Sequence, residues 1–331
     1  MSCARFVFRC FRSLERLGDR LTGAAGPVFV TLGIILLSTG AICFFEVIQP
    51  SMPLRWLLAP ICILIVLNLS AHYFYVCTIS PGFVDEPPRM PGKGLLWAKK
   101  RQTARNRALA GVRWSEDVQL TRASVSQCRR CALMRPERSH HCRICNRCVL
   151  KYDHHCPVRI NQCVGLYNER HFVLFLVYLS IATLCYAISG WPRAMDALGW
   201  NDEPWTYYSP PVAFLLVYIL SVVLSLAVTI MVTWHIWGIA SGETSVESQD
   251  HEHYRKVAKD RGETFINSFD LGKRKNLELF FNIGTDGYPL YTLLLPLKIE
   301  PYTDGRHWAR RAGFERHPGV REGEELTDDD E

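Results

Sequence analysis

The chain has 331 residues, long for one domain and short for three. Apolar residues make up 48% of it and gather in long blocks, which argues against a wholly soluble protein. A formal charge of +6 is too modest to require nucleic acid as a partner and suits cytosolic loops beside anionic lipid.

Residues 1–26 form a basic N-terminal segment with Arg5, Arg9, Arg12, Arg16 and Arg20. A first span opens at Pro27 with PVFVTLGIILLSTGAICFFEVI. Its apolar part exceeds the roughly 7–15 residues of a signal peptide, and no clean A-x-A site follows, so it reads as uncleaved. A second span, LLAPICILIVLNLSAHYFYV, opens at Leu57. Residues 83–127 begin with the Pro/Gly linker VDEPPRMPGKG and turn basic and polar. A cysteine-rich segment comes next. The third span runs from His171 and the fourth from Pro211, and each of the four reaches the roughly 20 apolar residues a bilayer requires. The segment YPLYTLLLPLKIEP (288–301) is too short and too Pro-broken to span, and is expected on the membrane surface or in a groove between spans. The acidic tail REGEELTDDDE reads as disordered.

Lys and Arg set the orientation. The short connectors after spans one and three carry only Arg55 and Arg193, whereas the N-terminal segment and residues 81–170 are rich in basic residues. Both termini and the central segment are therefore expected in the cytosol. The expected division is 1–26, cytosolic; 27–79, spans one and two; 80–170, a linker and cysteine-rich domain with its core at 126–170; 171–238, spans three and four; and 239–331, a cytosolic C-terminal region. Few ionisable groups lie in the spans, with Glu46, His72 and His235 near the ends, which speaks against a channel or transporter.

Seven of the 13 cysteines fall within residues 128–163, on the side where thiols stay reduced. Cys128-x-x-Cys131 and Cys145-x-x-Cys148 are knuckle pairs. His141, Cys142, His155, Cys156 and Cys163 supply further donors. Zinc takes four such ligands, so this set suits two sites with donors to spare, and few apolar residues are present to fold the segment without metal. A RING is the rival two-zinc arrangement, but it does not require an Asp-His-His-Cys run. A spare Cys156 beside His154 and Asp153 has the makings of an activated nucleophile.

The run Cys128-x2-Cys131-x3-Arg135-Pro136-x-Arg138-x2-His141-Cys142-x2-Cys145-x2-Cys148-x4-Asp153-His154-His155-Cys156 resembles the cysteine-rich domain of the DHHC protein S-acyltransferases, or palmitoyltransferases. The likeness continues through Cys163, Asn168 and Phe172. Ser80-Pro81-Gly82 resembles the family's Asp-Pro-Gly, Thr244-Ser245-Val246-Glu247 its Thr-Thr-x-Glu, and Asn267, Phe269, Gly272 and Asn276 its C-terminal motif. The resemblance implies an α-helical polytopic membrane protein: four transmembrane helices, with a cytosolic two-zinc domain between spans two and three.

It also implies structural Zn2+ at Cys128, Cys131, His141 and Cys148, and at Cys142, Cys145, His155 and Cys163. Cys156 is then the nucleophile, His154 its base and Asp153 the group that holds His154. Acyl-CoA, palmitoyl-CoA above all, is the implied donor. Phe172, Phe175, Tyr178 and Ala182 are expected at the acyl chain, with Lys273 and Arg274 near the coenzyme. The implied partners are substrate proteins with cytosolic juxtamembrane cysteines and membrane lipids; the implied membrane is ER or Golgi. The alternative is a zinc-bearing scaffold of the same fold without turnover. One departure supports it: CPVRINQC has one residue more than the family pattern, with Val158 and Arg159 in place of its Trp.

Overall fold

The computed structural model describes residues 2–87, 89, 92, 94–99, 118–157, 160–201, 203–284 and 287–321. Val158, Arg159 and the acidic tail from residue 322 lie outside these residues. Among the described residues four helices are long and apolar enough to cross a membrane: α1 (Ser2–Cys43), whose apolar part runs on as Ala24–Ser51, α2 (Arg55–Thr78), α3 (Glu169–Ala197) and α4 (Pro211–Ala240). Pro211 begins α4 at a position where a missing N–H costs nothing. α3 packs against both α2 and α4, and its buried Phe172, Phe175, Leu176 and Leu179 build the main core with Leu69, Tyr73 and Val228.

Between α2 and α3 lie small antiparallel hairpins. They pair β2 (Val125–Gln127) with β3 (Met134–Pro136), β4 (His140–Cys142) with β5 (Arg147–Val149), and β6 (His154–Cys156) with β7 (Gln162–Val164). A fourth pair joins β1 (Val118–Arg122) to β8 (His307–Arg311), with Val118 opposite Arg311. The basic stretch before the cysteines thus ends in a strand bonded to the C-terminal region. Three further helices follow α4: α5 (Ser245–Asp260), α6 (Lys273–Phe280) and α7 (Tyr291–Leu294).

The motifs outside the cysteines turn out to be joints. Gly82 has φ +95, and a Cβ there would strike the Tyr167 ring at 2.5 Å. This lets Pro81 and Gly82 accept from Tyr167 N–H (3.1 Å) and Leu150 N–H (2.8 Å), tying the end of α2 to the hairpins. The last carbonyls of a helix lack intrahelical donors. Here Asn276 Nδ2 donates to Ala240 O (2.8 Å) and Asn267 Nδ2 to Ser241 O (3.0 Å), so the C-terminal motif closes the end of α4.

The segment 288–301 occupies a groove between α2 and α3. Arg170 Nη2 donates to Thr292 O (2.8 Å), Tyr178 Oη to Leu293 O (2.7 Å), Asn68 Nδ2 to Leu294 O (2.7 Å) and Tyr75 Oη to Pro296 O (3.1 Å). Irregular backbone at membrane depth is tolerated only when the protein satisfies its polar groups, and these side chains do so.

Candidate active site between two metal centres

Two knuckles form by the same local geometry, at Cys128–Cys131 and Cys142–Cys145; the expected Cys145–Cys148 pair does not form, because the β4–β5 turn sends its two sulfurs to different clusters. Cys131 N–H and Cys145 N–H each point at the sulfur three residues back (3.4 Å), and the next residues, Ala132 and Asn146, have φ of +54 and +52. In the β4–β5 hairpin, His141 stands opposite Cys148, while Cys142 and Cys145 face away into a second cluster. Alternation along the strand thus divides one hairpin between two sites.

The donor atoms of Cys128, Cys131, His141 and Cys148 lie within 4.8 Å of one another, as do those of Cys142, Cys145, His155 and Cys163. His141 Nδ1 is 3.1–3.9 Å from the first three sulfurs, and His155 Nδ1 is 3.4–3.6 Å from the second three. A zinc tetrahedron with bonds near 2.3 Å to sulfur and 2.0–2.1 Å to nitrogen has edges of roughly 3.5–3.8 Å. Both donor sets fit Zn2+, and four protein ligands leave no open position for water. Despite the extra residue of CPVRINQC, Cys163 still faces His155 across the β6–β7 hairpin.

Cys156 belongs to neither donor group. His154, two residues before it, shares Oδ2 of Asp153 through Nδ1 at 2.6 Å. Asp153 Oδ1 accepts from Ser245 N–H (2.8 Å), the first residue of α5. The positive end of that helix suits a carboxylate. Thr244 caps α5 in a capping box with Glu247, and Glu247 is held by the buried Arg138 at 2.5 and 2.6 Å. Arg138 in turn lies over the rings of Phe269 (4.3 Å) and Trp308 (4.7 Å).

Burial opposes charge on Asp153, yet its hydrogen bond to His154 and the histidine's charge lower it to about 2. Burial likewise opposes charge on His154, but hydrogen bonds with Asp153 and Cys156 and their charges raise it to about 9. The arrangement favours the protonated form of His154, held between a carboxylate and a sulfur.

An apolar cavity of about 350 Å³ lies among α1 to α4. Phe175, Leu179, Ala182 and Tyr186 form its α3 wall, and Cys156 packs against the core cluster that includes its wall residues Leu69, Tyr73, Phe175 and Leu179. Of the residues expected at an acyl chain, Phe175 and Ala182 line this cavity and Phe172 and Tyr178 do not. A spacing of three precesses by about 60° per step on a helix, which turns both away. Phe172 instead meets the His154 ring at 5.1 Å, and Tyr178 bonds the 288–301 segment. Lys273 Nζ lies 5.1 Å from the centre of the Trp237 ring, and Arg274 is 93% exposed at its side chain and pairs with Glu278 (2.9 Å).

Sequence reasoning missed Ser245 N–H, Arg138 as the holder of Glu247, and His235, whose ring lies 6.0 Å from His154. Only the first had a readable signal: Thr244-x-x-Glu247 is a helix-start pattern and predicts free N–H groups there.

A family model described as DHHC palmitoyltransferase matches residues 123–252. Palmitoyltransferase ZDHHC16A of Danio rerio is 30% identical over 228 residues, covering 56% of this chain and 59% of that protein. ZDHHC16B of Danio rerio is 28% identical over 341 residues, 90% of this chain and 81% of its own. Palmitoyltransferase pfa3 of Aspergillus fumigatus is 38% identical over 131 residues, 38% of this chain and 23% of its own. The match to the first of these relatives spans about three fifths of that protein's length. Two interleaved Cys/His centres between spans two and three, with the Asp-His-His-Cys run threaded between them, agree with that likeness: residues 123–252 are similar to the DHHC palmitoyltransferase family.

Proposed function

We propose that this chain is a protein S-palmitoyltransferase that carries a long acyl group from palmitoyl-CoA on Cys156 to cysteines of substrate proteins. The observation that carries the reading is a sulfur left out of both donor groups, hydrogen-bonded to a histidine that Asp153 holds, and packed on the apolar cluster whose Leu69, Tyr73, Phe175 and Leu179 also line a cavity.

The imidazolium of His154 favours the thiolate of Cys156. That thiolate attacks the thioester carbonyl carbon; the carbon–sulfur bond to coenzyme A breaks, and the departing sulfur takes the proton of His154. The acyl group is now a thioester of Cys156. A substrate cysteine gives its proton to His154 and attacks the same carbon, and Cys156 leaves as thiolate. Asp153 keeps Nδ1 of His154 protonated throughout. Bound at the two donor sets, Zn2+ supplies folding energy and fixes the hairpin, without touching the acyl group. The acyl chain gains roughly 0.8 kcal/mol per methylene buried in the cavity.

The substrates are proteins with cysteines near the cytosolic face of an ER or Golgi membrane; the Arg and Lys distribution supports that orientation. Incubation of purified protein with labelled palmitoyl-CoA tests the reading. Label sensitive to hydroxylamine on wild type and absent from Cys156→Ala is expected. No label on folded, zinc-loaded wild type favours the scaffold. For chain length, Ala182→Phe intrudes on the cavity wall and is expected to shift preference several-fold toward shorter acyl groups, read by competition among acyl-CoAs.

A further inference from the structure

The strap 288–301 reaches deep. Asn68, which holds Leu294 O, lies ten residues before the end of α2, and Tyr178, which holds Leu293 O, nine residues after the start of α3. At about 1.5 Å per residue, the strap's tip lies roughly 14 Å beyond the helix ends, toward the middle of a hydrocarbon core about 30 Å thick. Leu290 and Leu294 are nevertheless 66% and 59% exposed there.

Nearer the helix ends two cations, Arg170 and Lys298, have no carboxylate partner among the described residues, and a buried histidine lies beside them. Arg170, 7% exposed, uses Nη2 on the strap, while its Nε and Nη1 are buried without an acceptor. His72 is fully buried, meets His171 Nδ1 to Nδ1 at 3.0 Å, and has no partner for Nε2. Lys298 Nζ lies 4.7 Å from the centre of the Tyr75 ring. The groups acting electrostatically on Arg170 and His171 are Tyr288, Tyr178, His72 and Lys298, besides Arg170 itself on His171; among the described residues no carboxylate is one of them. A buried guanidinium without a counter-ion is costly, and basic pockets between spans on the cytoplasmic side suit lipid head groups.

We propose that this notch binds one anionic phospholipid, with its phosphate on Arg170 and Lys298 and its acyl chains along Leu290 and Leu294. The lipid neutralises the cations and covers the strap from the bilayer side.

The test uses the full chain reconstituted in phosphatidylcholine vesicles with and without phosphatidylinositol, read by native mass spectrometry and by melting temperature. Neither readout depends on acyl transfer. Wild type is expected to retain one phosphatidylinositol per chain and to melt higher with it. Arg170→Gln abolishes retention but also frees the Thr292 carbonyl. Lys298→Gln, which leaves the strap's hydrogen bonds in place, is therefore the deciding variant, with an expected loss of about five-fold in affinity. Retention in Lys298→Gln equal to wild type, or no preference of wild type for phosphatidylinositol over phosphatidylcholine, overturns the proposal. Equal stabilisation by inorganic phosphate in pure phosphatidylcholine also overturns it, assigning the notch to a free anion.

Discussion

The two metal centres have the same ligand set, three cysteines and one histidine, and hold different things. Cys128 and Cys148 of the first share an apolar cluster with Phe269, Tyr302 and Trp308, so that centre binds the hairpins to the C-terminal region. His155 and Cys163 of the second face each other inside the β6–β7 hairpin, between His154 and Cys156. One centre anchors the C-terminal region, and the other sits within the hairpin that carries His154 and Cys156. Closed zinc sites contribute rigidity, and where that rigidity is spent depends on which strands supply the ligands.

Removing one ligand from each centre breaks the comparison most directly. Cys163→Ser is expected to lose one zinc and to drop acyl labelling to background, because the hairpin that aligns His154 with Cys156 loses its clamp. Cys128→Ser also loses one zinc but keeps measurable labelling. Zinc content by elemental analysis and single-turnover labelling decide it, and equal loss of labelling in both erases the distinction. Within the second centre, Asp153→Asn leaves the zinc ligands alone and removes the charge that holds His154. Acyl-enzyme formation is expected to slow by about 10²–10⁴ with two zincs retained; a smaller effect than tenfold removes Asp153 from the mechanism.

The smallest effect sharpens the anchor side. Burial pushes His317 down to about 3, with His251 and Arg310 adding to it, and its Nδ1 accepts from Ser268 N–H (3.1 Å). A histidine held neutral stabilises the fold above its unfolded value near 6.5, and that contribution is lost as pH falls toward 3. Because His317 is only partly buried by exposure, wild type is expected to lose about 1–2 kcal/mol more than His317→Gln between pH 7 and pH 5, read from denaturant melts. Arg138, Arg310, His251 and Glu247 are the charged or titratable groups acting on it. Identical pH slopes contradict the assignment.

The spans were legible because crossing a bilayer imposes length and apolarity that a chain cannot disguise. Spacing gave the Cys128–Cys131 knuckle but mispaired Cys145 with Cys148, which the hairpin sends to different clusters; the full donor sets came from the family resemblance. What stayed hidden was long-range. Nothing in VQLTR announces a partner in HWARR almost two hundred residues on, since such short strands carry no period of their own. The strap's seat depends on single polar residues inside apolar runs, Asn68, Tyr75 and Tyr178, whose role shows only in the carbonyls they hold. The cavity wall was half legible: Phe175 and Ala182 line it, whereas Phe172 and Tyr178, at a spacing of three from Phe175, do not.

The central claim is that two closed centres use eight ligands and leave the sulfur of Cys156 outside both. Zinc content of purified Cys156→Ala tests it. Two zincs per chain, as in wild type, together with loss of acyl label, is the expected result; a fall to one zinc would put Cys156 in a coordination shell and contradict the account.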